Sequence, residues 1–266
     1  MSLRILSYNI LAGGEDRLPL IGHVIQKQQP DVVALLEARS RSNAEALAQQ
    51  LGMRLTFGEA NNIYQDHVAW LSRLPVIRAH NHRLPVFAKT LLEIEILWGE
   101  ASLTLFAAHL KAGQDQEREQ HRVAEMQAIL RLLHAQGNQL QALVGDLNTI
   151  HPTDQPNGAA YRIVLRERGE EALQLHFPRQ VIPLLLEAGY VDCYRALHPL
   201  LAEDASYTAY RALRFDYIFA SASLAQRLWA CDIAIGGDAE RASDHYPIWA
   251  EFLAEIALYP PVKKAS

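Results

Sequence analysis

Short apolar runs of strand length recur along this chain from end to end, and that repetition limits its possible folds more than any other feature. Residues 3–10, 31–37, 68–71, 92–96, 102–109, 140–144, 215–220 and 248–253 each read as a strand. Helical periodicity separates some of them. Leu18, Ile21, Val24 and Ile25 share one face ahead of Pro30, and residues 43–51 are rich in helix formers and stop at Gly52. Val123, Met126, Leu130 and Leu133 line a longer helix ending near Gly137, and residues 181–188 form another that stops at Gly189. Between about 67 and 109 no helix intervenes, which predicts antiparallel pairing there. Apolar and acidic residues alternate over 92–96, the pattern of a strand with one wet face. The strands are too many for one open sheet with few helices. The pattern predicts a mixed α/β (α+β) chain in which two packed sheets carry helices outside.

Of the 266 residues, 50% are hydrophobic and 21% charged, enough apolar surface for a sizeable core and too much for a disordered chain. No linker, repeat or low-complexity tract divides the sequence. It reads as one domain over residues 1–258 with a fraying tail at 259–266, where Pro260-Pro261 and two lysines gather. Residues 148–180 read as one long irregular loop, a length that usually serves function. The net charge of −5 counts against a protein built mainly to grip nucleic-acid backbones. Cys193 and Cys231 sit in no CxxC pair and read as two buried free thiols. The N-terminus lacks a signal-peptide pattern and no segment approaches 18 uninterrupted apolar residues, which points to a soluble, cytoplasmic protein with no membrane span.

Polar groups stand at or near the ends of several apolar runs. Asn9 ends the first and Glu37 the second; His109 closes Leu-Phe-Ala-Ala-His, and Asp146 and Asn148 follow Ala-Leu-Val-Gly. Asp216 lies inside Arg-Phe-Asp-Tyr-Ile-Phe, while Asp244 and His245 precede the last run. Any one of them alone is more often a helix cap or a turn residue. Asp216 is different, because a carboxylate between Phe215 and Tyr217 in an apolar strand costs several kcal/mol unless partnered. A histidine is a natural partner. Together the set has a chemistry. Mg²⁺ takes one or two carboxylates plus an amide and keeps its waters. Phosphoester cleavage needs a positioned water, stabilised phosphoryl oxygens and help for the leaving group.

Tyr-Asn-Ile at 8–10, Leu-Leu-Glu at 35–37, His-Leu at 109–110, Gly-Asp-Leu-Asn at 145–148, Phe-Asp-Tyr-Ile at 215–218 and Ser-Asp-His-Tyr-Pro at 243–247 resemble, in order, the motifs of the endonuclease/exonuclease/phosphatase superfamily. The resemblance implies a four-layer sandwich, two packed mixed β-sheets flanked by helices, with the site at one edge. It implies Mg²⁺, with Mn²⁺ able to substitute, held chiefly by Glu37 with Asn9 and Asp244 nearby. Asp146 is expected to orient or deprotonate the attacking water, Asn148 to hold a phosphoryl oxygen, and His245 to contact the phosphate or act as the base. Asp216 is expected to fix the His245 ring, and His109 to stabilise the phosphoryl group or protonate the leaving oxygen. Abasic-site endonucleases of the superfamily typically carry Tyr-x-Pro-Asn where this chain has Ala107-Ala108-His109-Leu110-Lys111. The His form is similar to the branch of pancreatic-type deoxyribonucleases and sphingomyelinases. The implied activity is a phosphodiesterase or nuclease working by in-line attack of water. The alternatives are a phospholipid-headgroup hydrolase or phosphomonoesterase, and a silent binding scaffold. The implied partner is a phosphoester substrate: nucleic acid, phospholipid headgroup or small phosphodiester. Lys111, Arg118 and Arg122 form a candidate basic patch beside His109, set against a solvated helix start; Tyr161, Arg162, Arg166 and Arg168 read as a charged surface face.

Overall fold

The computed structural model of the chain describes residues 2–60, 62–137, 139–155, 157–167, 179–198, 207–210 and 212–255. The first sheet contains β1 (Ser2–Asn9), β2 (Val32–Leu36), β3 (Arg54–Gly58), β4 (Val68–Ser72), β11 (Leu228–Ile233) and β12 (Ile248–Leu253) in the order β11-β12-β1-β2-β4-β3. The second contains β5 (Val76–His82), β6 (Leu91–Trp98), β7 (Ala101–His109), β8 (Gln141–Asp146), β9 (Val191–Asp192) and β10 (Asp216–Ala220) in the order β5-β6-β7-β8-β10-β9. Each sheet has one parallel pair at its centre, β1 with β2 and β7 with β8, and its other pairs are antiparallel. The two parallel pairs are joined by helical crossovers, α1 (Leu18–Gln28) and α3 (Gln116–Ala135), as parallel neighbours require. The expected architecture of two mixed sheets flanked by helices is therefore present.

Within the helix-free stretch near 67–109 the successive strands β5, β6 and β7 pair antiparallel, but the stretch does not lie in one sheet. β4 pairs with β2 and β3 in the first sheet, and the chain then crosses at Ser72-Arg73-Leu74-Pro75 to begin β5 in the second. Alternation along β7 shows how the layers form. Leu103, Leu105 and Ala107 pack between the sheets with Ile5, Ala34 and Ala142, while Phe106 and Ala108 pack outward against Met126, Ile129 and Leu133 of α3. A strand apolar on both faces reads as a continuous run, which is why this one was legible. Burying a side chain the size of Phe106 stabilises by roughly 2–3 kcal/mol.

α2 (Arg41–Leu51) begins on the Ser40 side chain and ends at Gly52, whose φ of +63° suits glycine. α5 (Val181–Glu187) packs beside α3, and α6 (Cys193–Leu197), α7 (Ala222–Ala225) and α8 (Ala239–Ala242) are short. Cys193 and Cys231 are buried free thiols. Two expectations change. Residues 148–180 are not one irregular loop, because α4 (Gly158–Glu167) forms within it. It buries Tyr161 and Leu165 against Leu213 and Phe215, so Tyr161 is a core residue rather than part of a surface face, whereas Arg162 and Arg166 are exposed. Glu93 on β6 is buried rather than wet, meeting His82, Arg78 and Gln136. Arg168 and the tail at 259–266 lie outside the described residues.

Candidate active site

Strand register, not chain order, assembles the site. Asp146 ends β8; its neighbour on β7 is His109 and its neighbour on β10 is Asp216, so the three form one row across the second sheet. Facing them, Asn9 ends β1 opposite Leu36, one residue before Glu37. His245 enters just ahead of β12, which pairs with β1. Gly145 makes the row possible: at φ +139° a Cβ there would lie 1.9 Å from the Ala108 carbonyl oxygen, so a side chain would force β7 and β8 apart.

The bonds between these groups are specific. Asn9 Nδ2 donates to Glu37 Oε1 and to Asp146 Oδ2, both at 3.1 Å, so one amide spans a carboxylate from each sheet. Glu37 Oε2 accepts from the Ala12 N–H at 2.9 Å, and Asp146 Oδ1 from the Asn148 N–H at 2.9 Å. His109 Nε2 stands 3.3 Å from Asp146 Oδ2, and His245 Nε2 3.8 Å from the same oxygen. His245 Nδ1 is 2.7 Å from Asp216 Oδ2, the histidine partner that the buried acid required. Asp244 is half-buried, with its carbonyl accepting from Tyr210 N and its Oδ1 3.5 Å from Ser243 Oγ. Ligand atoms of Asp146, Asp216 and His245 all lie within 4.8 Å of one another. Since Asp216 already occupies His245 Nδ1, the hard-oxygen corner made by Glu37, Asp146 and the Asn9 amide fits a divalent cation better.

Burial sets the electrostatics. Burial first, then the Asp216 carboxylate, raise Asp146 to about 7. Burial pulls His245 down, but Asp216, bonded to its ring, outweighs this with help from Asp146 and Asp244 and lifts it to about 10. His109 falls well below its usual range through burial and the neighbouring Lys89 and His245. Its Nδ1 has no hydrogen-bond partner among the described residues. Glu37, Asn148 and Tyr210 hold φ of +57°, +50° and +53°. Such backbone costs of order 1–3 kcal/mol per residue and tends to cluster at functional sites.

These groups surround a cleft of ≈ 550 Å³ whose walls include Glu37, His109, Asp146, Asn148, Tyr210 and His245. Asn9 and Asp216, both fully buried, lie beneath its surface. Of the candidate basic residues only Lys111 lines the cleft. Arg118 is exposed and paired with Asp115 over Gly113. Arg122 is completely buried, bonded to Glu119 and to the carbonyls of Lys111 and Gly113, so it belongs to no surface patch. Three charged lining residues went unread in the sequence. Arg39 and Asp66 are paired at 2.8 Å, and Lys89 is buried in the wall. Lys89 carried a usable signal, a charge in the apolar run Phe-Ala-Lys-Thr-Leu-Leu. On the rim, Ile63 and Tyr64 are 87% and 64% exposed.

Residues 6–245 match the endonuclease/exonuclease/phosphatase family. An exodeoxyribonuclease III from Haemophilus influenzae is 26% identical over 275 residues, covering 94% of this chain and 100% of that protein. Among solved structures, an AP endonuclease from Archaeoglobus fulgidus superposes with a TM-score of 0.75 at 19% identity, covering 94% of this chain and 99% of that one. The 3′ phosphatase NExo from Neisseria, bound to a product DNA hairpin, gives 0.68 at 22% identity, covering 94% and 99%. The ordered motifs, the two-sheet fold and the match over nearly all of the chain agree: this chain belongs to the endonuclease/exonuclease/phosphatase family and is a metal-dependent phosphoester hydrolase.

Proposed function

We propose that the cleft hydrolyses a phosphodiester in nucleic acid, using Mg²⁺ and an in-line water. The observation that carries this reading is the Asn9 amide holding Glu37 and Asp146 together at 3.1 Å each, next to a His–Asp pair, at the floor of one cleft. Glu37, with Asn9 and Asp146 beside it, would hold the cation. Bound there, a divalent ion supplies charge stabilisation at a phosphoryl oxygen. Asp244 is not among the residues that line the cleft and acts through its charge on the His245 ring.

The remaining steps fall to the chain's own groups. His245, kept protonated at neutral pH by Asp216, is suited to donate a hydrogen bond to a phosphoryl oxygen and not to accept a proton. Asp146, bonded to the Asn9 amide at 3.1 Å and 3.3 Å from His109 Nε2 in the cleft wall, is the group placed to take the proton of the attacking water. Asn148 Nδ2, held by the Leu110 carbonyl at 3.2 Å, reaches a second phosphoryl oxygen. Neutral His109 stands by the leaving oxygen. A nucleic-acid substrate is favoured by the exposed Tyr64 and Ile63 on the rim, where a base can stack, with Lys111 lining the same cleft for a neighbouring phosphate. The exodeoxyribonuclease III relative and the DNA-bound 3′ phosphatase support the same choice.

The test compares matched chromogenic phosphodiester and phosphomonoester substrates, then DNA, with Mg²⁺ and with chelator. Diester hydrolysis lost with chelator and reduced about 10³-fold in His245→Ala is expected. Preference for the monoester, or activity unchanged in His245→Ala, would overturn the reading.

A further inference from the structure

Lys89 is only 7% exposed, yet no ion pair holds it among the described residues. Its Nζ donates to the Leu110 carbonyl at 3.2 Å, a single neutral acceptor. An ammonium this deep with one uncharged partner is costly, and an apolar residue between Phe87 and Leu91 would serve the fold better. Its placement is tightly controlled. Glu125 on α3 accepts from the Ala88 N–H at 2.8 Å and from the Lys111 N–H at 2.9 Å, so one carboxylate clamps the backbone beside Lys89 and the backbone that carries its acceptor. The same Leu110 carbonyl also takes Asn148 Nδ2, which sets an ammonium and an amide side by side in the cleft wall.

We propose that Lys89 is a catalytic residue, its ammonium holding a non-bridging oxygen of the phosphoryl group under attack, beside Asn148, and stabilising the charge that builds there in the transition state. This rests on the phosphoester-hydrolase reading of the cleft. The missing counter-charge is then the substrate itself. A preorganised cation in a water-poor wall acts more strongly on a developing anion than a surface lysine would. Burial draws the Lys89 pKa down, with the charges of Asp146 and Glu37 opposing that fall.

Lys89→Met and Lys89→Arg are to be compared with wild type and Asp146→Asn on a diester substrate, with inorganic phosphate as a competitive inhibitor and with the thermal midpoint of the substrate-free protein. Lys89→Met should lose about 10²–10³-fold in kcat and weaken phosphate inhibition at least about tenfold. Its thermal midpoint should hold or rise, because an unpaired buried charge has gone. Lys89→Arg should recover part of the phosphate inhibition. Full activity and unchanged phosphate inhibition in Lys89→Met, with Asp146→Asn inactive, would remove Lys89 and leave the reading of the cleft intact. A lowered thermal midpoint with unchanged phosphate inhibition would make Lys89 structural and also overturn the proposal. A wild type as inactive as Asp146→Asn, with no phosphate binding, would remove the reading of the cleft itself. If Lys89→Met does not fold, Lys89→Gln takes its place, and phosphate inhibition falling in the order Lys, Arg, Gln is the supporting result; equal inhibition in all three overturns it.

Discussion

His245 sits between two carboxylates that act on it differently. Asp216 bonds its Nδ1 at 2.7 Å, while Asp146 stands 3.8 Å from its Nε2. The first contact fixes the ring and its charge, and the second aims the other nitrogen at the cleft. The raised pKa has a consequence for stability. A histidine at about 10 in the folded protein, against an ordinary 6.5, contributes stability that is complete below about pH 6.5 and is lost as the pH rises through about 10. Asp216→Asn removes that contribution. In metal-free protein the variant should be less stable than wild type by about 2 kcal/mol near pH 6, and the gap should close towards pH 10. Urea denaturation at several pH values measures it; a gap independent of pH would mean His245 is not held protonated. The need for a partner to Asp216 was legible because an acid inside an apolar strand must be satisfied. The same reasoning applied to Lys89 and would have flagged it. What no residue type announced was the left-handed backbone at Glu37, Asn148 and Tyr210, because it is imposed by tertiary packing rather than by local preference.

α3 ties the second sheet to the site through three buried charges spaced three residues apart. Glu119 accepts from Gln180 N and Val181 N, lies within 3.4 Å of the Thr149 hydroxyl and pairs with Arg122; Arg122 donates to the Lys111 and Gly113 carbonyls; Glu125 takes the N–H groups of Ala88 and Lys111. The helix therefore fixes the start of α5, the loop after Asn148 and both backbones around Lys89. Glu125→Ala would leave the part-buried N–H groups of Ala88 and Lys111 without this acceptor, at up to about 1–3 kcal/mol each. We expect a loss of about 3 kcal/mol by denaturant titration together with a drop in kcat, and a smaller loss in Glu125→Gln, which keeps one acceptor oxygen. Equal stability in all three proteins would show that the clamp is not needed. The apolar stripe of α3 was readable from its period, but its charged face looked solvated, since burial of Glu119 and Arg122 depends on segments distant in sequence. Strands were legible in the same measure. Those buried on both faces, such as β7 and β8, gave unbroken apolar runs. The edge strands β5 and β11 did not, because Arg78, His80, Trp229 and Asp232 face water there.

At the scale of the molecule, the two sheets meet at the site as two halves of one anionic corner. Glu37 comes from the first sheet and Asp146 from the second, and the Asn9 amide now spans them. A cation bound between these carboxylates would link the sheets and reverse the protonation of Asp146. Without metal, Asp146 sits at about 7 against an ordinary 3.8, a raised carboxylate. Its protonated form is the one the fold favours, so it costs nothing below about pH 4 and increasingly destabilises the apoprotein as the pH rises through 7. Mg²⁺ binds the ionised form, so its stabilising effect must grow over the same window, on top of the ordinary gain from a ligand that binds only the folded state. The rise in thermal midpoint on adding Mg²⁺ should therefore be larger near pH 8 than near pH 5.5, and Glu37→Gln should abolish most of it at both. Differential scanning fluorimetry with Mg²⁺ and with chelator reads this without any substrate. A rise that is the same at both pH values would separate the cation from Asp146 and place it on Glu37 and Asn9 alone. A rise that persists in Glu37→Gln would move it away from this corner of the cleft.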